Sequence, residues 1–119
     1  MFKAKKLVKI CGITRKDQAL EIADLGVDAI GLISVKESPR YVPQFKRMEI
    51  FGSLLKYFPK IKRVTVVKND LIDKLINTFR DANLSNVIQL HGDEDIDYCI
   101  ELKKNIPEIK LWKAFRIKN

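Results

Sequence analysis

The sequence contains few of the residues that mark secreted or membrane-spanning proteins. Only two of its 119 residues are cysteines, Cys11 and Cys99, and they lie far apart in the chain. They offer neither a disulfide framework nor the paired spacing of a metal site. No apolar run approaches the roughly 20 residues that a bilayer-spanning helix needs, and the interrupted stretch LVKICGITRKD does not suit a secretory signal. We therefore expect a cytoplasmic protein without a membrane partner.

Short runs rich in β-branched residues alternate along the chain with stretches of helical spacing. The runs predict strands over 7–14, 29–34, 63–69, 86–92 and 109–117. The intervening stretches predict helices over 15–26, 45–58, 70–84 and 95–106, with Gly26 as a helix stop and Asp70 as an N-cap. Strict alternation at about 25 residues per unit predicts parallel strands joined by right-handed crossovers.

No linker rich in glycine, serine or proline divides the chain, which indicates one domain over 1–119. A doubly wound sheet and a (β/α)8 barrel share the predicted order of elements. A dinucleotide-binding sheet would carry a glycine-rich fingerprint after its first strand, whereas the turn CGITRKD has a single glycine. A complete barrel needs at least about 200 residues. We therefore predict a parallel (β/α) half-barrel of four βα units and a fifth strand.

Polar residues collect near the predicted C-terminal ends of these strands, where α/β proteins place their chemistry. Side chains alternate between the two faces of a strand. Lys9 and Cys11 therefore share one face of the first strand, and Gln89 and His91 share one face of the fourth. Apolar residues occupy the opposite faces, which suits helix packing. The pattern predicts that Cys11, His91 and Lys113 point inward around one mouth of the barrel.

Each of these residues also has an ordinary structural interpretation. A lone cysteine such as Cys11 is usually buried and inert, and a lone histidine such as His91 is usually a hydrogen-bonded structural residue. The segment SPRYV (38–42) has the composition of a turn. Cys99 is expected to pack on the apolar side of a helix. The acids at 93–95 suit a helix N-terminus, where negative charge is favourable.

The chain is strongly basic, with a formal net charge of +8. Such a charge is compatible with nucleic-acid binding. The lysines are scattered, however, and no nucleic-acid-binding module is recognisable. We favour solvated lysines and no nucleic-acid partner, and the same charge suits an anionic small molecule such as a phosphate ester.

Four spaced motifs and a weaker fifth segment resemble the N-terminal part of the phosphoribosylanthranilate isomerases, tryptophan-pathway enzymes built as (β/α)8 barrels. The motifs are KICGIT at 9–14, GVDAIG at 26–31, SPRYV at 38–42, VIQLHGDE at 87–94 and the weaker KAFR at 113–116. They occur in the family's order and at its distances. The resemblance covers nearly the whole chain, and the family's enzymes are close to twice as long.

The resemblance implies an Amadori rearrangement, in which an aminoaldose phosphate becomes an aminoketose phosphate without a cofactor or metal. Cys11 would be the general base, acting as thiolate, with Lys9 as electrostatic support. Arg40 would hold the anthranilate carboxylate, for which a guanidinium fork is suited. His91 would line the same pocket, with Gln89 as its neighbour.

The resemblance also places the general acid after a sixth strand, and the phosphate site after strands seven and eight. We therefore expect little activity from the isolated chain. We expect a half-barrel to self-associate or to pair with a complementing second half, because its strand edges and apolar surface are open. Its third strand, VTVVKN, departs from the family's VGVFVN at Thr65, Val67 and Lys68, which alters either the pocket floor or the helix-facing surface.

Overall fold

The computed structural model describes residues 7–82 and 84–113, and within them five strands alternate with four helices. The strands are β1 (Lys9–Cys11), β2 (Ala29–Ile33), β3 (Lys62–Val67), β4 (Val87–Leu90) and β5 (Lys110–Lys113). The helices are α1 (Lys16–Asp24), α2 (Gln44–Tyr57), α3 (Ile72–Ala82) and α4 (Ile96–Asn105). The predicted order of elements is confirmed. Residues 114–117 of the predicted fifth strand and residue 83 of the predicted third helix lie outside the described residues.

All five strands are parallel and pair in sequence order, β1-β2-β3-β4-β5. Sequential neighbours joined by helices are the arrangement of a (β/α) barrel, whereas a doubly wound sheet reverses its strand order part-way. The strand order therefore confirms the predicted half-barrel. It also brings the C-terminal ends of all five strands to one edge of the sheet.

The helices cover one face of the sheet in two apolar clusters. The first joins β2 to α1 and α2 and includes Ile30, Leu32 and Phe51. The second joins β3, β4 and β5 to α3 and α4 and includes Ile88 and Leu102. These side chains are at most 1% exposed, so this face is dry core. It leaves the opposite, concave face of the sheet for the site.

The concave face carries a smaller apolar floor. Its buried members are Ala29, Val64, Val66 and Val87, with Ile33 and Trp112 packed against them. These residues alternate along their strands with those of the helix-facing clusters, as strand geometry requires. The floor lies beneath the strand ends that carry the predicted site residues.

Local signals explain the end of α1 and the start of α4. Gly26, at φ +89°, follows the last turn of α1 in a conformation that glycine adopts easily. The Asp95 side chain accepts a hydrogen bond from the Tyr98 amide at 2.8 Å and so caps α4. The predicted cap at Asp70 is wrong. Helix α3 begins at Ile72, and the Leu71 carbonyl accepts the first helical bond from the Leu75 amide.

Thr65 faces the helices, so this departure from the family pattern alters the helix-facing surface and not the pocket floor. Its Cα partners are Leu32 and Ile88, both in the helix-facing clusters. The Thr65 side chain is buried, and its Oγ1 has no hydrogen-bond partner among the described residues. A buried hydroxyl without a partner loses its hydration without compensation.

We predict that Thr65→Val raises the free energy of unfolding by about 1 kcal/mol, because it removes an unsatisfied polar atom at nearly constant volume. Urea unfolding followed by circular dichroism measures the change. Thr78→Val is the matched control. The Thr78 hydroxyl donates to the Lys74 carbonyl at 2.9 Å, so its loss should be neutral or slightly destabilising. Equal responses of the two variants would contradict the assignment.

Among the described residues, no helix combines the length and apolar character needed to cross a membrane.

Candidate active site

Cys11 ends β1 at the C-terminal edge of the sheet, and its side chain is exposed. Its Cα partner on β2 is Gly31, and a Cβ atom at Gly31 would lie 3.0 Å from the Cys11 Sγ. The glycine therefore provides the space that the thiol occupies. An exposed thiol above a small residue is not the inert core cysteine of the structural interpretation. Cys99, in contrast, packs against the cluster between α4 and the sheet, as predicted.

The Arg40 side chain crosses directly over Gly12, the residue after Cys11. Gly12 has φ +87°, and a Cβ atom there would lie 2.8 Å from Arg40 Cδ. Only glycine combines this backbone conformation with so close an approach. The thiol and the guanidinium, which are 29 positions apart in the chain, therefore lie at the same edge.

Short-range hydrogen bonds hold the loop that carries Arg40. The Arg40 amide donates to Ser38 Oγ at 3.1 Å, and the Tyr41 amide donates to the Ser38 carbonyl at 3.1 Å. The Val42 amide then donates to the Ile33 carbonyl at 2.9 Å, which fastens the loop to the end of β2. The segment SPRYV is thus a turn, and it also delivers a cation to the site.

Lys9 and Gln89 meet across the concave face. The Lys9 ammonium donates to Gln89 Oε1, and it lies 5.6 Å from the centre of the Trp112 ring. The first contact links β1 to β4, and the second is a cation–π contact with β5. The predicted sharing of one face by Lys9, Cys11 and Gln89 matches this geometry. The Gln89 oxygen accepts the Lys9 hydrogen bond, so the amide nitrogen is the part of this side chain that can still donate to a ligand.

His91 lies one residue beyond the end of β4 and is exposed. Its amide donates to the Val67 carbonyl at 2.9 Å, which continues the pairing between β3 and β4. The imidazole therefore belongs to the same edge of the sheet as Cys11 and Arg40.

Lys113 does not point inward, and this prediction is wrong. Its Cα partner is Leu90 of the helix-facing cluster, whereas Trp112 pairs with Gln89 and occupies the concave face. The Lys113 ammonium donates to the Gly92 carbonyl and pairs with Glu94 Oε1 at 3.0 Å. The alternation of side chains along β5 is thus one residue out of phase with the prediction, because polarity does not mark the inner face of this strand.

Glu94 was assigned only to a helix N-terminus and is instead the centre of a buried polar network. Its side chain is 1% exposed, and its carboxylate accepts hydrogen bonds from the amides of Asn69 at 2.7 Å and Gly92 at 2.9 Å. Asn69 Oδ1 accepts from the Asp93 amide at 2.7 Å. Burial opposes ionisation, but the Asn69 amide and the Lys113 ammonium together hold the Glu94 pKa below its ordinary value.

The network joins the ends of three adjacent strands, because Asn69 follows β3, Gly92 and Glu94 follow β4, and Lys113 ends β5. A Cβ atom at Gly92 would collide with the Asn69 side chain. The motif VIQLHGDE could have indicated this network. It includes a glycine and a glutamate to which the resemblance assigns no catalytic role. The network fixes the loop on which His91 lies.

The arrangement is a cationic edge above an apolar floor, and the edge carries the exposed Cys11 thiol together with Arg40 and Lys9. It suits a ligand that combines an anionic group with an apolar ring. Residues 8–118 match the family model for N-(5'-phosphoribosyl)anthranilate isomerase. The chain belongs to this family.

Relatives and solved structures of the family agree with the fold. The chain is 41% identical over 116 residues to the N-(5'-phosphoribosyl)anthranilate isomerase of Acaryochloris marina, a match that covers 94% of this chain and 52% of the relative. It is 38% identical over 112 residues to the isomerase of Trichormus variabilis, with 94% and 51% covered. The chain thus spans about half the length of these relatives.

The phosphoribosyl anthranilate isomerase of Thermus thermophilus superimposes with a TM-score of 0.81 at 28% identity, covering 96% of this chain and 54% of that one. A second match, to a phosphoribosyl anthranilate isomerase in complex with reduced 1-(o-carboxyphenylamino)-1-deoxyribulose 5-phosphate, has a TM-score of 0.79 at 30% identity and covers 95% and 55%. A third, to monomers generated from the dimeric isomerase of Thermotoga maritima, has a TM-score of 0.77 at 30% identity and covers 95% and 54%.

Proposed function

We propose that residues 1–119 form one half-barrel domain that contributes the proton-abstracting side of a phosphoribosylanthranilate isomerase. The reaction is the Amadori rearrangement of N-(5'-phosphoribosyl)anthranilate to its 1-deoxyribulose 5-phosphate derivative, in the cytoplasm. The observation that carries the proposal is that the exposed Cys11 thiol, against Gly31, and the Arg40 side chain, against Gly12, lie at the same edge of the sheet. Family membership supports the same reaction.

Each group in the site has a definite role in this proposal. Arg40 binds the anthranilate carboxylate through its planar fork of N–H groups, and His91 lines the same pocket. Cys11, as thiolate, removes the proton from C2 of the Schiff base that forms when the ribose ring opens. The Lys9 ammonium favours negative charge on this face. Gln89 holds Lys9 in place and presents its amide nitrogen.

The second half of the barrel supplies the general acid and the phosphate site in this proposal. Both sheet edges of the described half-barrel carry exposed apolar residues. On the β1 side Val8 and Ile10 are 46% and 36% exposed, and beside β5 Ile96 and Ile100 of α4 are 64% and 59% exposed. These are the surfaces on which neighbouring βα units of a barrel pack.

Those open edges also favour a second candidate function, a half-barrel that binds another chain without catalysis. The partner would be a second copy or a complementing half-barrel that continues the sheet at β1 and β5. The two candidates share the interface and differ in whether turnover follows association.

An activity assay distinguishes them. The 119-residue chain alone, and the same chain fused to the second half of the Acaryochloris marina relative, are assayed with N-(5'-phosphoribosyl)anthranilate by the loss of its anthranilate fluorescence. We expect the fused protein to exceed the isolated chain by at least about 100-fold, because only it combines base and acid. If the fused protein is folded and has the dimensions of a barrel but is inactive, the proposed isomerase function is contradicted. The pairing module is then the remaining candidate function. A monomeric isolated chain that fails to bind an added second half would contradict the pairing module.

A further inference from the structure

A second polar cleft of about 450 Å³ lies outside the candidate active site. It is bounded by the loop after β2, the loop after β3 and the first turns of α3. Cys11, Lys9, Arg40, Gln89 and His91 do not line it. The cleft and the proposed catalytic site therefore have different lining residues.

The cleft contains the buried guanidinium of Arg47, which has no carboxylate partner in the part of the chain that the structure describes. Arg47 is 9% exposed, and its Nη1 donates to the Val42 carbonyl at 2.6 Å. Burial lowers the pKa of the Arg47 guanidinium, and the nearby Tyr41 side chain opposes that effect. No carboxylate of the described residues lies within 4.0 Å of its nitrogens. The Val42 carbonyl is the acceptor found for Arg47 among the described residues, so most of its five N–H groups remain able to donate to a ligand. An unpaired buried charge is costly.

The other charges of the cleft are mainly positive. Lys36, Lys68 and Lys74 line it with Arg47, against the two acids Glu37 and Asp70. Gln44, the first residue of α2, also lines it, and this helix has no acidic residue in its first turn. The positive end of the α2 dipole therefore adds to the field of the cations, and no acid in the first turn of α2 itself opposes it.

We propose that this cleft is a second oxyanion site, in which Arg47 binds the carboxylate or phosphate group of a small molecule. The guanidinium fork matches both groups, because each presents two oxygens in a plane. Lys74 and Lys68 contribute charge at the open side. The proposal does not depend on the isomerase function, since none of the residues assigned to that reaction takes part.

Asp70 is the internal competitor for Arg47. Burial raises the Asp70 pKa, and Lys74 and Arg47 oppose that effect. The carboxyl group lines the same cleft without forming an ion pair with Arg47 within the described part of the chain. An incoming oxyanion takes the place next to the guanidinium that the Asp70 carboxylate leaves unfilled. Removing the Asp70 charge should therefore strengthen binding.

The test is a titration of the 119-residue chain with inorganic phosphate at constant ionic strength, followed by amide chemical shifts in two-dimensional NMR. We expect saturable shifts centred on Arg47, Gln44 and Lys74. Arg47→Met should weaken binding at least tenfold, and Lys74→Met about threefold. Asp70→Asn should strengthen it about threefold. Lys60→Met, which removes an exposed charge away from the cleft, should bind like the wild type.

Acetate is titrated in parallel to separate the two sources of the oxyanion. Preferential binding of one identifies the ligand as a phosphate or as a carboxylate, and both outcomes support the site. The proposal is overturned if the wild type shows no saturable shifts, or if folded Arg47→Met and Lys60→Met bind phosphate equally. If Arg47→Met does not fold, unchanged affinity in both Lys74→Met and Asp70→Asn overturns it instead.

Discussion

Replacing Cys11 by serine in the fused, active isomerase is expected to lower kcat/KM by two to four orders of magnitude, the usual contribution of a general base. A serine hydroxyl is nearly the same size as the thiol, so the apolar floor and the position of Arg40 are kept. It forms an anion far less readily than a thiol does at neutral pH. The loss should therefore appear in kcat, with KM almost unchanged.

Cys99→Ser provides the matched control, because it makes the same chemical change on α4. Burial raises the pKa of the Cys99 thiol, and the residue packs against the apolar cluster beneath α4. That variant should lose some stability and keep its activity per folded molecule. Steady-state kinetics of both variants test the assignment of Cys11 as the general base. Unfolding curves confirm that both variants are folded. Activity of Cys11→Ser within threefold of the parent would refute the assignment of Cys11 as base.

The sequence predicted the fold well because its signals are local and repeated. Each βα unit carries its own apolar strand and amphipathic helix, so errors at one boundary do not affect the next. The error in the N-cap predicted at Asp70 is therefore confined to one residue, since the Leu71 carbonyl accepts the first helical hydrogen bond. Alternation also placed Lys9, Cys11 and Gln89 on one face, because each lies within or at the end of a regular strand.

The site was predicted less completely, because its contacts join residues that no local pattern connects. The approach of Arg40 to Gly12 depends on a loop and on a positive φ angle, neither of which alternation describes. Lys113 was placed on the wrong face because a lysine was assumed to avoid the helix-facing core. The buried Glu94 carboxylate pairs with the Lys113 ammonium and so allows a lysine to lie on the helix-facing side. Polarity predicts a face reliably only where no buried partner exists.

The Glu94–Lys113 ion pair is expected to have the largest effect on stability. Both side chains are nearly inaccessible, at 1% and 8% exposure. Removing one member leaves the other as a buried charge without its partner, for which losses of about 3 kcal/mol or more are typical. We therefore predict that Glu94→Gln and Lys113→Met each lower the free energy of unfolding by about 3 kcal/mol. Lys110→Met, an exposed position on the same strand, should change it by less than about 0.5 kcal/mol.

The double variant tests whether the pair acts as a unit. If the single losses reflect an unpaired charge, Glu94→Gln combined with Lys113→Met should lose clearly less than the sum of the two single effects. Urea unfolding of the four proteins gives the coupling energy directly. Strictly additive losses would show that the two residues stabilise the fold through separate contacts, such as the Asn69 and Gly92 amides.

The difference in the free energy of unfolding between the wild type and Glu94→Gln should depend on pH in a way that follows from the Glu94 pKa. The folded protein holds this pKa below the value of 4.5 expected of an unperturbed glutamate. The ionised carboxylate therefore contributes its full stabilisation above about pH 4.5, and the contribution is lost as the pH falls through the lower folded-state pKa. The stability gap between wild type and Glu94→Gln should be constant near neutrality and narrow in acid. A gap that widens as the pH falls would mean that Glu94 is protonated in the folded protein, and that Lys113 is held by the Gly92 carbonyl alone.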